Sequence, residues 1–488
     1  MKMTPPARRL RHGVPVPVML EPWPAVGGSR SREVLGGLFP VVPEAPTVAR
    51  STRVLGIVVQ VAAVGIASGL MLLRVPGLPS WRTIYGEDYP VFFTGAIQQP
   101  WHLIQYAGYV QVLPQTIAQI VRYLPLADAA LAFAVTGAAI AACCALFIFH
   151  ASAGHIQQVK LRALLAVALV LLPTAPLEII DSGVDTIWYL LAALFWAMLW
   201  RPRTPAATAV AGVIGFVAAA SNVLAVLLAP LVAVRLYVLR RPREHVVSVG
   251  WLAGCIVQVP FVIQGIHGGR SRLGGHRHAT PGQSLAFYGH AVLLPSLGWH
   301  LSWWLRSLAG VNGATAIAVA VLVVIFGVIL ATQRQARPFV VTALTTGFIF
   351  AVISVTMYLN PAIAKPLPTY QDGSRYTVLP AFLIVSALIV GAGHALRSPA
   401  HGHLLPGTSF KLHGTSFKPG MAVAALVVFL VSTWAVDFRY AGLRSQGVLN
   451  WAPIAAKWEH DCSHSRTGKI IEITRLGYKT LPCRNITP

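Results

Sequence analysis

Two carboxylates stand side by side in GEDYPVFFTG, residues 86–95: Glu87 and Asp88. A more spread acidic group lies in EIIDSGVDTIW, where Glu178, Asp181 and Asp185 are three and four residues apart. That spacing puts all three on one helical face, unless the order breaks at Gly183. Such a cluster can hold a divalent cation, Mg or Mn, or bind sugar hydroxyls; a solvated turn is the plainer use. A single positioned carboxylate can accept a proton from an attacking hydroxyl, worth roughly 10²–10⁴ in rate. The cationic partners are Arg270, Arg272 and Arg277, with His276 and His278, in IHGGRSRLGGHRHATPGQ. Gly-rich backbone approaches an anion closely and Arg grips phosphate with two parallel hydrogen bonds. A loop lying near anionic headgroups uses the same residues. Arg375, close to Asp372 in YQDGSRYTVLP, is either a snorkelling anchor or a further phosphate contact.

The elements that must position these groups are apolar. The 488 residues are 55% hydrophobic and 11% charged, with mean hydropathy +0.65, whereas soluble domains carry about 25% charged residues. Stretches near the ~20 residues that cross a bilayer recur. The fold class expected is an all-α polytopic membrane protein with about 11 transmembrane helices. They fall at 54–73, 127–149, 161–176, 187–200, 205–219, 222–238, 246–265, 313–331, 338–358, 376–395 and 420–436. The Pro- and Arg-rich residues 1–53 read as a disordered, basic cytoplasmic arm. The net charge of +23 suits lipid phosphates at span ends, and no nucleic-acid partner is expected.

With the N-terminus inside, the short cytoplasmic connections hold Lys160 and Arg162, then Arg201 and Arg203, then Arg235, Arg240, Arg241 and Arg243, then Arg334 and Arg337. This alternation obeys the positive-inside rule. An odd number of spans puts the tail from 437 to 488 outside the cytosol, where Cys462 and Cys483 can form a disulfide. Only Glu21, Glu33, Glu44 and Glu244 then remain cytoplasmic; the other eleven acids of the 15 gather at the outer face. Within the first external loop, Leu103, Tyr106, Val110, Leu113, Ile117, Ile120 and Leu124 recur at alternating steps of three and four. That stripe predicts an amphipathic interfacial helix bent at Pro114. The aromatic half of the second long loop, about 266–312, suits an interfacial belt.

There is no His-Glu-x-x-His, Gly-x-Ser-x-Gly, P-loop or haem motif, which argues against nucleotide-driven transport. A carboxylate at the interface, external arginines and a membrane groove suit group transfer from a lipid-phosphate donor. Here the chain resembles the GT-C superfamily of polyprenyl-phosphate-sugar-dependent glycosyltransferases. In that family a long first external loop carries an acid near its start and then interfacial helices, and another long external loop follows the seventh span. The corresponding features are Glu87-Asp88, the 103–124 segment and the 266–312 loop, so the likeness covers residues 54–312, with 313–436 as variable further helices. The stretches ED-x-x-VF, YAGY, RYTVLP and LGYKTLPC also resemble a group of actinobacterial multi-pass membrane proteins, of unassigned biochemistry, placed near GT-C enzymes.

The resemblance implies an inverting transfer of a sugar from a polyprenyl-phosphate lipid to a hydroxyl of a glycan or glycolipid acceptor, at the outer face of the plasma membrane. Many members carry an Asp-x-Asp or spaced acidic pair, whereas this chain has adjacent Glu-Asp, which leaves open which carboxylate is the base. Asp88 is the expected base because its shorter side chain is more easily fixed, with Glu87 assisting or binding a cation. The plainer alternative is that one of them N-caps a short helix starting near Pro90. Two other functions fit the composition: a transporter or lipid flippase, and a non-catalytic membrane scaffold. A transporter calls for charges near mid-membrane and matched inverted halves.

Overall fold

Each apolar segment read from the sequence contains a helix in the computed structural model, which describes residues 30–42, 50–84, 86–173, 179–267, 279–358, 374–397, 419–439, 450–464, 469–474 and 477–483. We label these helices α1 (Arg50–Leu72), α2 (Ala129–Ala151), α3 (Val159–Leu171), α4 (Thr186–Leu199), α5 (Pro205–Ser221), α6 (Ala229–Val238), α7 (Val246–His267), α8 (Trp299–Thr332), α9 (Arg337–Tyr358), α10 (Val378–Ala395) and α11 (Pro419–Val436). A backbone in hydrocarbon has no water to bond, and a helix satisfies its own N–H and C=O groups. Seven of them, α1, α2 and α7 to α11, are long and apolar enough to cross a membrane. The others, α3 to α6, run 13, 14, 17 and 10 residues. At about 1.5 Å per residue the shortest of these cannot alone cross a hydrocarbon layer of ~30 Å. α8 begins well before the expected 313, takes in the aromatic segment from Trp299, and kinks at Gly310, where φ is 66°.

Burial separates the helices in a way hydropathy does not. Every residue of α4 is buried, and so is α10 from Val378 to Gly393. α1 instead exposes Val54, Ile57, Val61 and Ile66, an outward apolar face of the kind lipid covers. The tightest pairing is between α5 and α7. A Cβ on Gly250 would lie 2.2 Å from the Gly212 carbonyl oxygen, and one on Gly254 2.5 Å from that of Phe216. Small residues four apart let two backbones touch, the packing that replaces the hydrophobic drive inside a bilayer.

Contacts between helix ends give the bundle two distinct ends. At one, Arg201 pairs with Glu244 at 2.8 Å, Gln158 donates to the Gly393 carbonyl and Arg397 to that of His155. The buried Arg235 of α6 donates to the carbonyls of Met198 and Trp200 at the C-terminus of α4, and to Glu244. At the other, the buried Arg74 donates to the carbonyls of Val170 and Leu172 at the C-terminal end of α3, at 2.6 and 3.0 Å. Each guanidinium thus satisfies last-turn carbonyls that no helical N–H can reach. Asp437, after α11, accepts from the Trp299 and His300 amides at the start of α8 at 2.6 and 3.2 Å, and the Trp299 indole donates to Pro173. The basic connections named above meet at the Arg235 end. Glu87, Asp88, Asp181, Asp185 and Asp437 meet at the Arg74 end.

The loop from 103 to 124 is not one helix. Gln105–Tyr106 and Tyr109–Val110 form a two-stranded hairpin around Ala107 (φ 55°) and Gly108 (φ 91°), and the helix is confined to Val112–Val121. Left-handed backbone at both turn positions is what a tight hairpin demands, and it breaks the three-four stripe. Pro114 then sits in a first turn, where no N–H is missed. Gln258 of α7 holds the hairpin by pairing with both the N–H and C=O of Val110, at 3.1 and 2.8 Å. Past α11, the helix Trp451–Ser463 and the hairpin Lys469–Thr474 with Gly477–Pro482 are joined by the Cys462–Cys483 disulfide, as expected.

Replacing Gly254 by Ile wedges α5 from α7 and is expected to cost about 1–3 kcal/mol, read as a lower melting temperature in detergent. Gly65→Ala in α1, where an added Cβ meets open space, should be neutral or stabilise by up to about 1 kcal/mol, read as an unchanged or higher melting temperature.

Candidate functional site

GED forms a 3-10 turn, Gly86–Asp88, that runs into the π-turn Tyr89–Phe93 and the short helix Thr94–Gln98. Asp88 stands at the N-cap of the π-turn, yet its side chain does not cap it. Its carboxylate is 1% exposed and turned toward the segment before α4. Oδ1 accepts from the Val184 amide at 2.7 Å; Oδ2 accepts from the Gly183 amide and the Ser182 hydroxyl, both at 2.9 Å. Hydrogen bonds to a charged acceptor contribute about 1.5–3 kcal/mol each, and a buried carboxylate needs them. Gly183 permits the approach, since a Cβ there would lie 2.9 Å from Phe133 and 3.1 Å from Asp88 Oδ1.

Glu87 points elsewhere. Its Oε1 accepts from the Tyr106 hydroxyl at 3.1 Å and pairs with Arg375 Nη1 at 3.3 Å. Burial alone would raise the Glu87 carboxyl. The Arg375 charge, a backbone hydrogen bond and the bonds from Tyr106 and Arg375 together outweigh it and hold the group below its ordinary 4.5. Glu87 and Arg375 line a small, half-open cavity. Its other walls are Tyr106, Ala107 and Tyr109 from the hairpin, Gln111 just after it, Val184, Asp185, Ile187 and Trp188 around the start of α4, Val223 and Leu224, and Tyr376. The hairpin therefore forms part of the cavity wall.

Asp181 and Asp185 do not share a helical face. Residues 179–185 run as turns, with Asp181 at φ 55°, and α4 begins only at Thr186. Asp185 lines the cavity and accepts from the Trp188 indole at 3.1 Å. Asp181 is buried away from the cavity walls; burial lowers the pKa of Arg74, and Tyr189, Asp181 and Asp437 only partly counter it. Glu178, Asp372, Arg270, Arg272 and Arg277 lie outside the described residues. No group of three or more His, Cys, Asp or Glu that could hold a metal ion occurs among the described residues. Of the cavity's carboxylates, Glu87 is already engaged by Arg375, so the described residues do not make a metal site.

The C-terminal helix Trp451–Ser463 braces the turn that carries these acids. Trp451 meets Tyr89 at 5.6 Å and Phe93 at 5.8 Å between ring centroids, Trp458 meets Tyr89 at 5.8 Å, and the Trp451 indole donates to Leu126. Cys462 and Cys483, both 1% exposed, close the same cluster. Sequence reasoning missed Gln111, Trp188 and Tyr376 as cavity residues and assigned Tyr106 to a helix stripe. Ala107-Gly108 between two tyrosines was the available signal of a turn.

Asp88→Asn leaves one acceptor oxygen for three donors and turns an NH₂ toward them. It should lower the melting temperature more than Glu87→Gln. The Glu87–Arg375 pair contributes stability in full above about pH 4.5, the ordinary carboxyl value, and loses it as pH falls through the lower folded value. Melting curves on acidification should show this loss in the wild type and lack it in Glu87→Gln.

Compared with protein-family models, with curated proteins and with solved structures, the chain matches none of them.

Proposed function

We propose that this protein transfers a sugar from a polyprenyl-phosphate donor to an acceptor hydroxyl, with Glu87 taking the acceptor proton. The observation that carries the reading is the meeting of Glu87, Arg375, Tyr106 and Asp185 in one cavity at the acid-rich end of an apolar helical bundle. The acceptor oxygen attacks the anomeric carbon as the bond to the phosphate oxygen breaks. The bonding pair leaves with the phosphate, the proton passes to Glu87, and the anomeric centre inverts.

The Glu87–Arg375 pair fits such a cycle. While paired, Glu87 stays ionised but weakly basic. If Arg375 turns to the departing phosphate, the carboxylate loses its strongest stabilising charge and its proton affinity rises, bringing it nearer the value a general base needs. Arg375 then stabilises charge where it develops. Arg270, Arg272 and Arg277 would add to the phosphate grip. Asp88 acts at one remove, by holding Glu87 in place.

In this reading eleven helical segments cross the plasma membrane, α6 together with the 3-10 turn Val223–Leu228 that leads into it. The Arg235 end and the N-terminal arm face the cytoplasm, and the cavity and the disulfide-bonded tail face outward.

The test is transfer from radiolabelled polyprenyl-phosphate arabinose, mannose, glucose or galactosamine in membranes carrying the protein. Glu87→Gln should lose about 10²–10⁴ in rate while polyprenyl-phosphate lipid still co-purifies, as read by mass spectrometry. A full rate in Glu87→Gln removes it as the base. Translocation of lipid without transfer would favour a flippase instead.

A further inference from the structure

Gln111 is a buried amide whose hydrogen bonding is half complete. The residue is 3% exposed and lines the cavity. Its Nε2 donates to the Tyr109 hydroxyl at 3.0 Å, while its Oε1 is buried with no hydrogen-bond partner among the described residues. A buried polar atom left unmatched costs about 1–3 kcal/mol. Turning the amide over does not remove the problem. The Tyr109 hydroxyl can donate as well as accept, so the exchange would leave the NH₂ unmatched instead. A hydroxyl group satisfies either orientation, because it both donates and accepts. A phosphate or carboxylate satisfies only one.

The charges around the cavity point the same way. Among the described residues its walls carry two carboxyl groups, Glu87 and Asp185, against one guanidinium, Arg375, already paired with Glu87. A second anionic group on the ligand would face like charge, with no second guanidinium or ammonium among the described wall residues to meet it. Asp185 offers acceptor capacity to hydroxyls, and the indole of Trp188, held by Asp185, gives an apolar wall for the C–H face of a ring.

We propose that Gln111 and Asp185 form a subsite for a neutral, hydroxyl-bearing ring. Gln111 is its specificity-determining residue, selecting uncharged sugars over uronic acids and other anionic ones. The assignment rests on the transfer reading only for what carries the ring to the cavity; the binding chemistry stands without it.

The test uses the purified full-length protein in nanodiscs and saturation-transfer NMR. The probes are the methyl glycosides of mannose, glucose, galactose and arabinose, with methyl glucuronide and inorganic phosphate as anionic counterparts. At least one neutral glycoside is expected to bind, with the glucuronide about tenfold or more weaker and phosphate unable to displace the neutral ligand. Removing one hydroxyl from that glycoside should weaken binding to the wild type by at least about tenfold, and by much less in Gln111→Leu. The deoxy comparison on the wild type needs no folded variant. Binding of no neutral glycoside, equal or tighter binding of the glucuronide, displacement by phosphate, or an unchanged deoxy penalty in a folded Gln111→Leu each overturns the subsite. Selective glycoside binding without transfer activity removes the transferase reading alone. Transfer activity without this selectivity removes the subsite alone.

Discussion

A buried carboxylate bound to two consecutive backbone amides and a hydroxyl holds together the two segments on which the cavity depends. Asp88 joins the turn after α1 to the turn before α4, across 94 to 96 residues of sequence. Asp88 follows the wall residue Glu87, and Val184 is a wall residue beside Asp185. The bonds of Asp88, which does not line the cavity, therefore tie two of its walls together. Such a clamp is stiff for an electrostatic reason. Breaking it strands a charge in a low-dielectric interior, and that cost exceeds what the bond contributes on balance when made.

The clamp has its own support, and this extends to the far end of the chain. Tyr89 and Phe93, the residues just beyond Asp88, are held by Trp451 and Trp458. Arg74 caps α3, and Asp437 ties α11 to α8 at the same end. Helices in an apolar solvent slide against one another unless something polar fixes their register. Here the fixing groups are buried ions at helix ends, where backbone atoms are left over for them to bind. The opposite end uses the same device, with Arg235 and Glu244.

Much of this arrangement was readable from hydropathy, because a run of apolar residues in a chain so poor in charge leaves few alternatives to a helix. What hydropathy could not show is which helices face protein and which face lipid. α4 and α10 are apolar on all sides, and so is α1, yet the first two are wholly enclosed. An all-round apolar helix looks the same in either setting. The Cys462–Cys483 pair and the candidacy of Arg375 were legible from position alone. The stripe from Leu103 to Leu124 misled because three-four spacing says nothing about φ, and Ala107 and Gly108 both have φ above zero. The roles of Glu87 and Asp88 were beyond local reasoning, since the partners that distinguish them come from residues 182–184 and 375.

The adjacency of the two acids, which departs from a spaced acidic pair, has a geometric rationale. They occupy a 3-10 turn, Gly86–Asp88. With about three residues per turn, neighbouring side chains leave the backbone roughly 120° apart. One therefore enters the interior while the next faces the cavity. Spacing two residues apart would still diverge by roughly 120°, but it would place an extra peptide unit between anchor and working group, and with it additional freedom. For the partner exchange proposed between Glu87 and Arg375, an anchor on the adjacent residue, Asp88, leaves the least freedom. The side-chain lengths fit the same division. Asp, with fewer torsions, is bonded directly to the amides, whereas Glu reaches both Tyr106 and Arg375 across the cavity wall.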